Sequence, residues 1–169
     1  MKRVLIIGSG GSGKSTLAGR LGEITGIEVI HLDRLHWLPG WTKPEKEEWQ
    51  ETVRQELAKE SWIIDGNFGG TMELRMSTAD TVIFLDFPRT VCTWRALKRF
   101  ARYRGTNRPD MTEGCNEKFD LEFLLWIWNF PSRAKPKIES QLNKFQDRIK
   151  IIRLRSPSEV EKFISDLSR

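Results

Sequence analysis

Gly8-Ser9-Gly10-Gly11-Ser12-Gly13-Lys14-Ser15 fits the pattern G-x-x-x-x-G-K-[S/T]. It follows the apolar run Val4-Leu5-Ile6-Ile7 and precedes a helical pattern that begins near Lys14. A strand, a glycine-rich turn and a helix in that order make a phosphate-binding loop. The glycines let successive backbone N–H groups turn inward around an anion. The helix that follows aims the positive end of its dipole at the same point. In such a loop Lys14 reaches the β- and γ-phosphates of a nucleotide and the Ser15 hydroxyl ligates Mg²⁺. Ser9, Gly10, Gly11, Ser12, Gly13, Lys14, Ser15 and Thr16 are therefore the expected phosphate cradle. The bland alternative is a Gly/Ser-rich turn, but a chance match to the whole pattern between a strand and a helix is rare.

Strand and helix signals alternate through the rest of the chain. Val4–Gly8 reads as a strand and Lys14 to about Ile24 as a helix; Glu28–Leu32 is the second strand, ending at Asp33. Thr42-x-x-Glu45, with Pro44 in the first turn, reads as a capping box opening a helix. Trp49, Val53 and Leu57 recur every four residues along it as a buried stripe. Trp62–Asp65 is the third strand and, after a break at Asp80, Thr81–Phe87 the fourth. A helix covers roughly Thr90–Tyr103, and Gly105-Thr106-Asn107-Arg108-Pro109-Asp110 reads as loop. Two helical segments lie before and after Pro131, and Arg148–Leu154 is the fifth strand. Ser156-Pro157-Ser158-Glu159 is a second capping box, opening a helix with Val160, Phe163, Ile164 and Leu167 on its apolar face. Phe123-Leu124-Leu125-Trp126-Ile127-Trp128 is apolar all around a helix, for which core packing is expected before a dimer face or a membrane.

Apolar strands separated by helices predict an α/β domain on a five-stranded parallel sheet with right-handed crossovers. Ligands of such sheets bind beyond the carboxyl ends of the strands. The phosphate loop, Asp33 and Asp65 all fall at such ends, so three separated positions are expected to converge on one cleft. Asp33 has the chemistry to accept a proton from a substrate hydroxyl or to hold a water on Mg²⁺. Asp65 has that of a second Mg²⁺-orienting aspartate; the less favoured alternative for each is an ordinary cap or turn residue. Trp37 and Trp41 flank the turn signal Pro39-Gly40 and suit either stacking on a flat ligand or packing of a lobe. A lone histidine such as His36 is more often structural than catalytic.

The 169 residues suit one domain with a substantial core, and 30% charged against 38% hydrophobic residues is an ordinary soluble balance. No apolar stretch approaches the length of a membrane span. The basic start Met1-Lys2-Arg3 leads to an apolar run that breaks at Gly8 without a cleavage-like site, so no signal peptide is read. Cys92 and Cys115, the only cysteines, make neither a disulfide framework nor a C-x-x-C metal site, and a reducing cytoplasm is expected. The net charge of +5 is unevenly placed: Arg89, Arg95, Lys98, Arg99, Arg102, Arg104 and Arg108 share a window that holds no acid. Such a cluster attracts polyanions. The favoured reading is a lid in which Arg99, Arg104, Arg108 and Arg133 close on a transferring phosphate. A nucleic-acid surface is less favoured because no docking motif accompanies it, and a solvated helix face is the third reading.

Asp65-Gly66-Asn67-Phe68 resembles the Asp-Gly-Phe-Pro-Arg segment of nucleoside monophosphate kinases, and Phe87-Pro88 with Arg95 and Arg99 resembles their fourth-strand exit and following helix. Over its whole length the chain resembles the adenylate-kinase-like branch of small P-loop kinases, which includes shikimate kinase and gluconate kinase. The resemblance implies a three-layer P-loop NTPase fold, one domain over 1–169, an acceptor-binding segment at 34–60 and a lid-like segment at about 104–133. It places Arg95 on the donor adenine and Arg99 on phosphates. It implies an ATP-dependent phosphotransferase with Mg²⁺ as cofactor, whose small-molecule acceptor, a nucleoside, nucleotide or other hydroxylated metabolite, lies between Asp33, Asn67 and Trp37/Trp41. Two departures tilt this toward a hydroxyl acceptor: the arginine after the Asp65 turn is missing, and Asp33 resembles the hydroxyl-engaging acid of shikimate kinase and deoxynucleoside kinases. Leu32-Asp33-Arg34-Leu35-His36-Trp37, Asp80-Thr81-Val82-Ile83-Phe84-Leu85-Asp86 and Trp126-Ile127-Trp128 further resemble bacterial proteins labelled topology modulation protein, a label that implies an influence on DNA supercoiling. The rival functions are a nucleotide-switched, DNA-topology-modulating regulator and a slow NTPase switch without a metabolic substrate. No motif specifies an oligomeric state or a donor base.

Overall fold

The computed structural model describes residues 1–106, 112–115 and 119–167. Five strands are found among them: β1 (Arg3–Gly8), β2 (Val29–His31), β3 (Trp62–Asp65), β4 (Thr81–Leu85) and β5 (Lys150–Leu154). The helices are α1 (Lys14–Thr25), α2 (Leu32–His36), α3 (Lys46–Leu57), α4 (Gly69–Thr78), α5 (Arg89–Tyr103), α6 (Leu121–Arg133), α7 (Lys135–Phe145) and α8 (Pro157–Leu167). The strands form one sheet in the order β2-β3-β1-β4-β5, every pair parallel.

Alternation along the central strands builds the three layers. Leu5 and Ile7 of β1, Trp62 and Ile64 of β3, and Val82 and Phe84 of β4 face one core, which α3, α4 and α7 cover with Trp49, Val53, Met72, Met76, Ile138 and Leu142. Val4, Ile6, Ile63, Ile83 and Leu85 face the other, covered by Leu17 and Leu21 of α1, Cys92 and Ala96 of α5, and Ile164 of α8. Helix α6 contributes to both, Phe130 to the first core and Ile127 to the second. This is the three-layer α/β arrangement of P-loop NTPases. The register pairs Ile6 with Asp65 and Gly8 with Leu85, so the carboxyl ends of β1, β3 and β4 lie side by side. Because β1 sits between strands reached in opposite directions, the phosphate loop opens at the switch point of the sheet, where α/β folds bind ligands.

Several local expectations are corrected. Strand β2 ends at His31, and Asp33 lies in the first turn of the short helix α2, because Leu32 turns fully into the core beneath Gly66. Thr42 does not cap α3: its hydroxyl donates to the Pro39 carbonyl (3.3 Å) and its own carbonyl accepts from Leu38 N–H (3.0 Å), closing the 38–42 turn. The helix starts at Lys46 with no side-chain cap, though its stripe Trp49, Val53, Leu57 is buried as expected. Helix α4 was not anticipated. Pro131 does not divide two helices; α6 runs through it to Arg133 and the break falls at Ala134, with Pro136 in the first turn of α7. The apolar run 123–128 is not core throughout: Ile127 is buried, while Leu125, Trp126 and Trp128 are exposed. No helix among the described residues is long and apolar enough to cross a membrane.

Candidate active site

The strand β1 delivers the phosphate loop, and its glycines are required by geometry rather than composition. Gly11 has φ 73°, and a Cβ there would lie 2.2 Å from the Cys92 carbonyl oxygen of α5. Gly10 packs on α6, where a Cβ would meet the Phe123 ring at 2.6 Å. Helix α1 begins at Lys14 behind Gly13, with no acidic residue in its first turn to oppose an anion. The Ser12 hydroxyl, on a residue only 1% exposed, has no hydrogen-bond partner among the described residues. A buried hydroxyl without a partner, on the loop beside Gly8, is free to accept from or donate to a bound anion.

Lys14 folds over this loop, its Nζ donating to the carbonyls of Ser9 (2.9 Å) and Gly8 (3.1 Å). Burial lowers its pKa from the ordinary lysine value, the carboxylates of Asp33 and Asp65 oppose that shift, and Arg99 adds to it. Those four charged groups therefore share one electrostatic neighbourhood. The Ser15 hydroxyl donates to Asp65 Oδ2 (2.7 Å), and the other carboxylate oxygen meets His31 Nδ1 at 2.6 Å. His31 and Asp65 are register partners on β2 and β3, which puts the imidazole beside the carboxylate.

A large cleft of about 1100 Å³ opens over the loop. Gly10 to Thr16, Asp33, Trp37, Trp41, Asn67, Arg95 and Arg99 all line it. Ser9 is buried and does not line it. Arg95 donates to the Ser12 carbonyl (3.3 Å) and lies over the Phe87 ring, while Arg99 lies over the Phe123 ring. Trp37 and Trp41 meet edge to face with centroids 5.4 Å apart, and Trp41 holds φ 63°. Asn67 lines the cleft, yet both polar atoms of its amide are engaged by Gly8: Oδ1 accepts from the Gly8 N–H (3.1 Å) and Nδ2 donates to the Gly8 carbonyl (2.7 Å). Arg104 and Arg133 are exposed and outside the cleft wall. Arg108 lies outside the described residues.

The sequence reading missed other parts of the wall. Asp120, Phe123 and Trp126 bring α6 to the cleft, and Pro157, Val160 and Glu161 bring α8, with Glu161 paired to Arg20 at 2.5 and 2.9 Å. Nothing local in the sequence marks these; they reach the cleft only because α6 crosses the loop and α8 packs on α1. His36 sits among the rings of Trp37, Trp49 and Phe68 at 4.6 to 5.1 Å, a structural setting. Burial lowers its pKa, with Lys43 adding to the shift.

No protein-family model matches the chain, and no curated protein matches it in sequence. Solved structures do match in shape. A gluconokinase from Sinorhizobium meliloti 1021 superposes with a TM-score of 0.54 at 13% identity, over 98% of this chain and 89% of that one. A shikimate kinase from Bacteroides thetaiotaomicron gives 0.53 at 20% identity, over 98% and 95%. A shikimate kinase from Acinetobacter baumannii, solved in complex with shikimate, gives 0.56 at 15% identity, over 99% and 90%. At these identities the likeness concerns the backbone: over nearly its whole length, the chain has the fold of small P-loop kinases.

Proposed function

We propose that the protein is an ATP-dependent phosphotransferase acting on a hydroxyl group of a small molecule. The observation that carries this is the convergence of Lys14, Asp33 and Arg99 on one cleft that continues from the phosphate loop to Trp37 and Trp41, with Asp65 buried outside the cleft wall and bonded to Ser15. The likeness to small-molecule kinases in fold supports it. ATP lies with its phosphates on residues 9–16 and its base beside Arg95, toward Pro157 and Val160. Lys14 and Arg99 stabilise charge on the transferred phosphoryl group. Asp33 orients the acceptor hydroxyl and accepts its proton, and Trp37 and Trp41 wall the acceptor.

The donor set fits Mg²⁺: the Ser15 hydroxyl, held by Asp65, with Asp33 as the further carboxylate. Among the described residues no group of three His, Cys, Asp or Glu forms a metal cage. A magnesium ion held largely by substrate phosphates and one or two protein oxygens needs none. When bound, the ion supplies charge neutralisation on the β- and γ-phosphates. We place the acceptor segment at 34–60 and a lid-like segment at about 104–133, whose helix α6 already packs on the loop through Phe123 while Arg104 and Arg133 lie outside the cleft wall.

The test is ADP release from MgATP, measured alone and against nucleosides, nucleoside monophosphates and hydroxylated metabolites. One acceptor is expected to stimulate release and to be recovered phosphorylated. Lys14→Ala is expected to lower turnover by about 10² or more while the protein stays folded; full activity overturns the mechanism. Asp33→Asn is expected to slow transfer more than it weakens ATP binding. A flat panel with tight ATP binding turns the reading to a switch, checked by salt-dependent DNA binding.

A further inference from the structure

Arg75 is the only buried arginine among the described residues, and the chemistry proposed above makes no use of it. Its partners are neutral oxygens. Nε donates to the Thr71 hydroxyl (3.2 Å), Nη1 to the Gly66 carbonyl (2.9 Å), and Nη2 to the carbonyls of Phe68 (2.9 Å) and Asn67. One guanidinium thus gathers three successive carbonyls of the turn that leaves β3. The planar fork of arginine suits that arrangement, and a lysine has no equivalent. The turn so held presents Asn67, whose amide brackets both backbone polar groups of Gly8.

Gly8 O also accepts from Lys14 Nζ, which further donates to Ser9 O. A phosphate bound in the loop competes for that ammonium. When Lys14 turns to the phosphate, Gly8 O keeps Asn67 Nδ2 as a partner and is not left buried and unpaired, which would oppose the movement. We infer that Asn67 is a positioning residue of the phosphate loop, held in place by Arg75, and that it frees Lys14 to engage phosphate; it is not a contact to the acceptor. The inference rests on the proposed function only in assigning Lys14 to phosphate, and its test needs no phosphoryl transfer.

The experiment is calorimetric binding of MgADP to the wild type, Asn67→Ala, Lys14→Ala and the double variant. Asn67→Ala is expected to weaken MgADP by about tenfold with Lys14 present, and by less than about threefold in the Lys14→Ala background, where no ammonium must leave Gly8 O. Arg75→Lys is expected to weaken MgADP in the same direction by less. Equal losses in both backgrounds make Asn67 merely structural and overturn the inference, as does unchanged affinity in folded Asn67→Ala. If Asn67→Ala fails to fold, Asn67→Asp serves: its carboxylate still accepts from Gly8 N–H but cannot donate to Gly8 O, so unchanged MgADP affinity overturns the inference. Once an acceptor is known, a raised acceptor KM with unchanged MgADP affinity returns Asn67 to the acceptor side. Absence of any acceptor sinks the kinase reading and leaves this result standing.

Discussion

At Gly11 and Gly26 the same residue type does different work. Both hold positive φ, 73° and 69°. Gly26 closes α1 through its N–H to the Gly22 carbonyl (2.8 Å), and a Cβ there meets nothing within 4 Å. Gly26→Ala should therefore carry only the backbone cost of the left-handed region, about 1 kcal/mol. Gly11→Ala adds a collision with the Cys92 carbonyl and should cost about 3 kcal/mol or more. Urea midpoints of the two variants check this, and only Gly11→Ala should also weaken nucleotide binding. His36 carries a pH dependence. Burial holds its folded pKa below the ordinary value near pH 6.5, so the folded state binds fewer protons than the unfolded one. Its contribution to stability is complete above about pH 6.5 and is lost as pH falls through the folded value. His36→Gln should flatten that part of a stability profile followed by tryptophan fluorescence; an unchanged profile removes His36 as its source.

The helix ends show how far local signals carry. Ser156 caps α8 as its sequence predicts, its hydroxyl accepting from Glu159 N–H (3.3 Å), while the Glu159 carboxylate accepts from Arg155 N–H (2.9 Å). Ser156→Ala should cost about 1 kcal/mol in thermal or urea unfolding. Thr42-x-x-Glu45 has the same spelling and caps nothing, because the 38–42 turn claims its threonine. The phosphate loop, β3 and the stripe of α3 were readable because each is a strong local pattern. Helix α4 was hidden by Gly69 and Gly70, poor helix formers at its start, although Met72 and Met76 lie four apart on its buried face. The ends of β2 and α6 depend on where Leu32, Ile127 and Phe130 find the core, which no window of sequence contains. In the candidate site, the loop, Asp33 and the Trp37/Trp41 turn were legible as cleft residues, although Asp33 sits in α2 rather than at a strand end and Asp65 is buried outside the cleft wall. Those brought by α6, α8 and Arg75 were not, since their roles arise from tertiary packing.

In the whole molecule the cleft gathers residues from almost every part of the chain. Of the seven tryptophans, Trp37, Trp41 and Trp126 line it, Trp49 and Trp62 are buried, and Trp94 and Trp128 face outward. Helix α6 is the element on which this assembly turns, with Ile127 in one core, Phe130 in the other and Phe123 against Gly10. Ile127→Ala should destabilise the protein by about 2–5 kcal/mol and also weaken MgADP, since the loop loses its support; a fall in stability with unaltered nucleotide affinity counts against that link. A helix wedged into both faces of a sheet and against the loop has no private route to open. Amide protons of α6 and of the phosphate loop should then exchange with solvent as one cooperative block, and a nucleotide bound to the loop should slow exchange along the whole of α6.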